Sequence, residues 1–252
     1  MKKLLAVMLI LALAFAAVAC NTTTPVDTDP ATDEVTDEGT EPAAETDAPV
    51  PEVTVMTYEE YAAAELDSEV VIETYVQGKQ SWWDNKGTFY TQDENGGYFL
   101  YEMACTEDEY NALTVGTKIR VTGYKAEWAG EVEIVDAKFE VLEGSFVAEP
   151  MDATALLGTE ELVKHQNKKV SFTGMTVKAI EYKNGAPGDD IYVTLALGEN
   201  EYSFCVEIYL TGTDTEVYKT VGALAEGDVV DVEAFLYWYE GANPHITAIT
   251  KK

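Results

Sequence analysis

The stretch that decides the fold is Leu113-Thr-Val-Gly116-Thr-Lys-Ile119-Arg-Val121-Thr-Gly123, and it occurs a second time 111 residues later. The second copy is Leu224-Ala-Glu-Gly227-Asp-Val-Val230-Asp-Val232-Glu-Ala234. Leu, Gly, a β-branched residue, Val and a small residue recur at the same offsets, which is typical of an internal duplication. Each copy predicts a helix end, a turn at the glycine and a strand with alternating apolar residues. The sequence therefore predicts two copies of one β-rich domain.

The chain around the first copy supplies the other elements of one domain. The segments 57–60 and 106–109 have the Thr-x-x-Glu spacing of capping boxes, which predicts one helix over 58–66 and another that ends at Leu113. Alternation and turn residues predict strands at 69–79, 88–92, 98–103, 118–124 and 131–141. Trp128 falls in the predicted loop 125–130.

The chain around the second copy follows the same plan. Helical composition at 152–166 corresponds to the first predicted helix of the other copy, and a second helix is predicted at 213–224. Alternation along the third strand of this copy directs Cys205 outward, away from the predicted core. The predicted strands are 169–179, 191–197, 201–209, 228–237 and 245–251.

Three strands, a helix and two further strands, with a glycine before the fourth strand, resemble the OB-fold, a small five-stranded Greek-key barrel. The resemblance covers residues 54–144 and, through the repeat, 151–251. It implies a mainly β fold of two tandem five-stranded OB-like barrels, each with a short helix before strand 1 and one between strands 3 and 4. The expected domains are 53–146 and 150–252. An immunoglobulin-like sandwich is the alternative, but it needs more strands and no central helix.

The N-terminus carries export signals. Residues 1–19 combine a cationic start with an unbroken apolar run of signal-peptide length. The run ends in Ala17-Val-Ala-Cys20, which resembles a bacterial lipobox, so Cys20 is the expected lipidation site; secretory cleavage that leaves a free Cys20 is the alternative. Residues 20–52 are rich in Thr, Pro, Asp and Glu and have no Lys, Arg or aromatic residue, which predicts a disordered acidic tether.

Together these features resemble the tandem OB-fold surface lipoproteins of Gram-positive bacteria, a resemblance that implies no settled activity. It implies an exported protein that is anchored to the membrane by lipid and faces outside the cytoplasm. The chain has 46 Asp plus Glu against 16 Lys plus Arg, and Arg120 is its single arginine. Because nucleic-acid binders collect phosphates with basic surfaces, the composition predicts that nucleic acid is not a partner.

Aromatic residues are the strongest candidates for ligand contact. The resemblance places a binding face on strands two and three, flanked by the loops that hold Trp82, Trp83 and Trp128, and Tyr90 and Tyr101 extend this face. Such a platform suits a sugar ring, a peptide or another apolar surface. We expect the three tryptophans to gather at one mouth of the first barrel. The alternative is that one or two of these rings close the barrel end or pack on the second domain.

Catalysis, cofactors and metals are not expected. His165, in a predicted helix, and His245, at the start of a predicted edge strand, are the only histidines, and an exposed, solvated ring is the simpler interpretation for both. Thermonuclease-like OB-folds use paired arginines, and this chain lacks the pair. Five residues are candidate Ca²⁺ ligands but lack the twelve-residue loop spacing, so we interpret them as turn formers: Asp84, Asp93, Asn95, Asp189 and Asp190.

Two classes of function remain open. The first is a non-catalytic binding module whose loop tryptophans recognise an extracellular glycan or peptide. The second is a structural or adaptor envelope lipoprotein that acts through protein contacts. Exposed tryptophans favour the first hypothesis and buried ones the second. Cys105 and Cys205 are expected to be free thiols, with a disulfide between the two domains as the alternative.

Overall fold

The computed structural model describes residues 54–252, which belong to one compact unit. The predicted signal peptide 1–19, the lipidation site Cys20 and the tether 20–52 lie outside the described residues. None of the helices described is long and apolar enough to cross a membrane.

The first half is a closed barrel of five strands. Capping boxes at Thr57 and Thr106 begin helices α1 (Tyr58–Ala63) and α2 (Glu107–Ala112), as predicted. The strand order around the barrel is β1-β2-β3-β5-β4, closed by pairing of β4 with β1. The β3–β5 pair is parallel and the other pairs are antiparallel. The strands are β1 (Glu69–Lys79), β2 (Lys86–Gln92), β3 (Gly97–Ala104), β4 (Thr117–Trp128) and β5 (Glu131–Ser145).

The second half is a six-stranded sheet in the order β10-β11-β9-β8-β7-β6, with an additional pairing of β10 with β7. Apart from the two-residue β6, its strands follow one another in the same cyclic order as those of the barrel. Helices α3 (Ile208–Thr211) and α4 (Glu216–Gly222) lie between its third long strand and its fourth. Its strands are β6 (Met151–Asp152), β7 (Lys169–Tyr182), β8 (Ile191–Leu197), β9 (Asn200–Val206), β10 (Val229–Phe235) and β11 (His245–Lys251).

The two copies of the repeated stretch have the same local geometry. Gly116 and Gly227 both have a left-handed backbone, with φ of 91° and 89°. The Gly116 N–H donates to the carbonyl of Val76 at 2.8 Å, and the Gly227 N–H donates to the carbonyl of Val177 at 2.9 Å. Glycine is favoured at both turns because it has no Cβ to oppose a positive φ.

Each half has its own apolar core, and a third cluster joins the two halves. Tyr90 of β2 stacks on Phe235 of β10, with ring centroids 4.3 Å apart and ring planes 2° apart. The Tyr90 hydroxyl shares a 2.8 Å hydrogen bond with Nδ1 of His245. We call this group the junction cluster; it consists of Tyr90, Phe99, Leu210, Phe235, Tyr237 and His245.

Several sequence predictions need correction. Residues 152–166 do not form one helix but two short 3₁₀ turns, Thr154–Leu156 and Leu162–His165, separated by Gly158 at a φ of 76°. A right-handed helix requires a negative φ, so the backbone at Gly158 breaks the predicted helix despite its helix-favouring composition. β4 extends to Trp128, so this residue ends a strand and does not lie in a loop.

His245 and Cys205 are both buried, contrary to prediction. β11 pairs with β10 on one side and with β9 on the other, so His245 does not start an edge strand. The other residues of the junction cluster surround His245. Burial lowers the pKa of His245 to about 3, so its ring is neutral. Cys205 is only 3% exposed, so protein rather than solvent covers its outward side. Cys205 and Cys105 are both free thiols, as expected.

Candidate functional site

A tight hairpin turn positions the two adjacent tryptophans differently. Asp84 and Asn85 occupy the turn between β1 and β2 with φ of 48° and 59°, and backbone hydrogen bonds of 2.9 Å join Trp83 and Lys86 in both directions. Two central residues with positive φ are the signature of the type I′ hairpin, whose twist matches that of the flanking strands. Asp84 is therefore a turn former, as predicted.

Trp82 and Trp83 point to opposite sides of this hairpin because successive side chains alternate. The Trp82 ring is half-buried, and its Nε1–H donates to the carbonyl of Cys105 at 3.0 Å. The Trp83 side chain is 78% exposed. Trp82 thus ties the hairpin to the end of β3, while Trp83 is displayed to solvent.

A β-bulge in β3 directs two consecutive side chains outward. The register between β2 and β3 shifts so that Tyr101 and Glu102 both lie opposite Thr88. Glu102 has a φ of 47°, and its N–H donates to Oγ1 of Thr88 at 3.1 Å. Both side chains are exposed, whereas strict alternation would bury one of them. A non-glycine residue held at positive φ costs of order 1–3 kcal/mol, and such positions concentrate at functional sites.

The second half contributes a third exposed aromatic ring. Glu207 caps α3 by accepting the N–H groups of Tyr209 and Leu210 at 3.1 and 2.9 Å. The carbonyl of Tyr209 in turn accepts the N–H of Ser81 at 2.8 Å. These bonds hold the exposed Tyr209 side chain beside the hairpin that carries Trp83.

These residues enclose a cavity of about 510 Å³ between the two halves. A second cavity of about 430 Å³ lies on the β3 and β5 side of it. We call the two together the aromatic groove. The first cavity is lined by Gln80, Ser81, Trp82, Trp83, Lys86, Gly87, Thr88, Tyr101, Glu102 and Tyr209, and the second by Lys86, Tyr101, Glu102, Ala104, Val135, Asp136, Ala137 and Lys138.

One ion pair lies in both cavities. Lys86 Nζ and the Glu102 carboxylate are 2.8 Å apart, and this hydrogen bond raises the pKa of Lys86. Burial, and then the charge of Glu102, raises the pKa of Tyr101, so its hydroxyl stays protonated at neutral pH. The pair is exposed, and exposed pairs contribute little to folding stability. The groove therefore presents a cation, a carboxylate and a phenol that are free to exchange partners with a ligand.

The structure brings together only part of the predicted site. Trp82, Trp83 and Tyr101 line the groove. Trp128 does not line either cavity; its ring contacts Tyr239 of the second half, with centroids 5.2 Å apart. The three tryptophans thus do not gather at one mouth.

Tyr90 is also wrongly placed by the sequence prediction. Its side chain has no exposed surface because the second half covers the outer face of β2 at this point. It therefore holds the junction cluster together and does not present a ring to a ligand.

Sequence reasoning missed Tyr209, Lys86 and Glu102. Tyr209 was predicted to end a strand, but β9 stops at Val206. A local signal was present, because Glu207 is a helix N-cap and Gly212 ends the same turn with a φ of 81°. The bulge that exposes Glu102 has no comparable sequence signal.

The remaining candidate residues have structural contacts. Asp93 accepts the N–H groups of Asn95 and Gly96, both at 2.7 Å, and so forms the predicted turn. Asp190 accepts from Lys183 and from the N–H of Ile208. Within residues 54–252 no group of three or more His, Cys, Asp or Glu side chains is arranged to hold a metal ion.

Comparison with known proteins gives only distant structural likenesses. No protein-family model and no curated protein sequence matches the chain. The hypothetical protein ygiW from E. coli is 19% identical, with a TM-score of 0.27, and the match covers 36% of this chain and 94% of that one. A murine DNA-binding protein bound to double-stranded DNA is 11% identical, with a TM-score of 0.35, over 72% of this chain and 96% of that one. A replication protein A heterotrimer bound to single-stranded DNA is also 11% identical, with a TM-score of 0.31, over 73% of this chain and 49% of that one.

The prediction that nucleic acid is not a partner is contradicted by these comparisons, because several similar structures are bound to DNA. The prediction rested on net charge and on the small number of Lys and Arg residues. Single strands are also bound through aromatic stacking in a local groove, which a net charge does not report. With TM-scores below 0.5, the likenesses assign no ligand to this chain.

Proposed function

We propose that the chain is a non-catalytic binding module that holds a neutral glycan in the aromatic groove. The observation that carries this proposal is the display of Trp83, 78% exposed, on a rigid turn beside a cavity of about 510 Å³. An apolar ring of this size normally loses its contact with water on folding, and an exposed aromatic ring beside a cavity is a common feature of ligand sites.

The chemistry of the groove favours a sugar over a simple apolar ligand. Sugar rings have apolar faces that pack on aromatic side chains, and their edges carry hydroxyls that both donate and accept hydrogen bonds. Lys86 offers a donor and Glu102 an acceptor beside the rings of Trp83 and Tyr101. The adaptor hypothesis requires buried loop aromatics, and the exposure of Trp83 favours the binding hypothesis over it.

The wider organisation belongs to the same proposal. Both halves are OB-like barrels in tandem, which the common cyclic strand order and the equivalent Gly116 and Gly227 turns support. The protein is exported, lipidated at Cys20, and carried on its acidic tether outside the cytoplasm, which the sequence of residues 1–52 supports.

The test is a titration of the purified protein against a panel of envelope and dietary polysaccharides and oligo(dT), followed by tryptophan fluorescence. We expect a neutral glycan to shift the emission, and Trp83→Ala to weaken its binding. Trp128→Ala is the matched control because this ring is also exposed, at 54%, but lies outside both cavities. Binding that is lost in Trp128→Ala but kept in Trp83→Ala would contradict the proposal. Binding of oligo(dT) alone would replace the glycan by a nucleic acid.

A further inference from the structure

The two cavities of the aromatic groove lie next to each other. Both are lined by Lys86, Tyr101 and Glu102, so these three side chains form the boundary between the cavities. The cavities, of about 510 and 430 Å³, each lie within the range of roughly 300–1,000 Å³ of small-molecule sites. A single sugar ring in either cavity leaves the other empty.

The boundary between the cavities is itself suited to ring contact. Tyr101 is exposed there, and its ring lies 6.5 Å from that of Phe99 beneath it. The β-bulge fixes the backbone beside Tyr101, because the N–H of the next residue, Glu102, donates a hydrogen bond to Oγ1 of Thr88. Tyr101 is therefore placed where two consecutive rings of a chain would meet.

The second cavity repeats the polar chemistry of the first. The first is lined by one lysine and one carboxylate, Lys86 and Glu102. The second shares these two residues and adds one more lysine and one more carboxylate, Lys138 and Asp136 of β5. In each cavity the cation can donate to a hydroxyl and the carboxylate can accept from one, and the opposite charges balance. The same set of partners at two successive places fits a ligand whose uncharged unit repeats.

We infer that the aromatic groove binds a linear neutral glycan of at least two linked rings, one in each cavity. This inference rests on the proposed function and specifies its ligand class. Trp83 and Tyr209 contact the ring in the first cavity, Tyr101 contacts the linkage, and Asp136 and Lys138 bind hydroxyls of the next ring. Affinity should accordingly depend on chain length, and residues of the second cavity should affect only the longer chains.

The experiment is calorimetric titration of the purified protein with length series of neutral oligosaccharides, from one to six units, of β-1,4-linked glucose, xylose, mannose and N-acetylglucosamine. The variant is Asp136→Asn with Lys138→Ala. Asp136 has a φ of 50°, and Asn tolerates this conformation, so the backbone is preserved while the charge is removed. Trp83→Ala reports on the first cavity.

For the series that binds, we expect affinity to rise about tenfold or more from one unit to two or three. The double variant should lose this rise and keep the affinity of the single unit, whereas Trp83→Ala should weaken every length. Affinity that does not change with length, or a rise that persists in the double variant, would overturn the inference but leave the proposed function intact. If no oligosaccharide series and no glycan of the wider panel binds, both this inference and the proposed function are wrong. Binding of oligo(dT) in their place would overturn the glycan class.

Discussion

Replacing Glu131 by Gln should change how the stability of the protein depends on pH. Glu131 begins β5 and is fully buried at the junction of the two halves. One carboxylate oxygen accepts the Trp238 N–H at 2.8 Å, and the Asn167 side chain also interacts with this carboxyl. Burial is the main reason that the pKa of Glu131 rises from its ordinary value of 4.5 to about 9. The folded protein therefore keeps this carboxyl protonated at neutral pH.

The sign and size of the effect follow from proton linkage. Between pH 4.5 and about 9 the folded state binds one proton at Glu131 that the unfolded state has released. The contribution of this group to the free energy of unfolding is fully present below pH 4.5 and is lost as the pH rises through about 9. Between these two values it falls by about 1.4 kcal/mol per pH unit. From about pH 7 to 8.5, wild type should thus lose about 2 kcal/mol relative to Glu131→Gln. Glutamine stays neutral and retains an oxygen that accepts the Trp238 N–H.

The assay is urea unfolding of both proteins at the two pH values, followed by tryptophan fluorescence. The difference between wild type and variant cancels the other groups that titrate in this range. Glu201→Gln, at an exposed position of β9, is the control for the loss of one acidic side chain. A difference that is the same at both pH values would refute the reasoning, because it would mean that Glu131 is ionised in the folded protein.

Three further outcomes are expected. Tyr90→Phe should lower the free energy of unfolding by about 1–3 kcal/mol, because it leaves buried Nδ1 of His245 without its partner; an unchanged urea midpoint would contradict this. Trp82→Ala should lower the free energy of unfolding by about 3 kcal/mol, because it removes a half-buried ring and its hydrogen bond to Cys105. Trp83→Ala should change the same free energy by less than about 0.5 kcal/mol, because this ring is exposed. Equal losses in urea unfolding would argue against the opposite placement of the two rings. Cys20→Ala should release the protein from the membrane fraction; retention there would rule out a lipid anchor at this residue.

Much of the fold could be predicted from sequence because its signals are local. Strands β1, β8 and β11 have the predicted bounds, and both capping boxes begin helices. Alternation and capping depend on residues within a few positions of each other, so these patterns predict strands and helix starts without knowledge of the tertiary contacts. Composition is a weaker signal. Residues 152–166 have a helix-favouring composition, but the turn at Gly158 prevents a continuous helix there.

The site was predicted only in part because it depends on how the two halves meet. An apolar residue on the outer face of a strand looks the same whether it faces solvent, as Tyr101 does, or a neighbouring sheet, as Tyr90 does. Alternation also assumes a regular strand, so it misses the bulge that exposes Glu102. Tyr209 enters the groove from a segment more than 100 residues away in the chain, which no local pattern reports.

The most direct measurement of the central claim is an NMR titration of the four tryptophan indole N–H signals with the neutral oligosaccharide series. All four tryptophans, at 82, 83, 128 and 238, lie in the described part of the chain, so each signal reports one location. We predict that a binding oligosaccharide shifts the signals of Trp82 and Trp83 and leaves those of Trp128 and Trp238 in place. Shifts confined to Trp128 and Trp238 would contradict the account, because the ligand would then bind outside the aromatic groove.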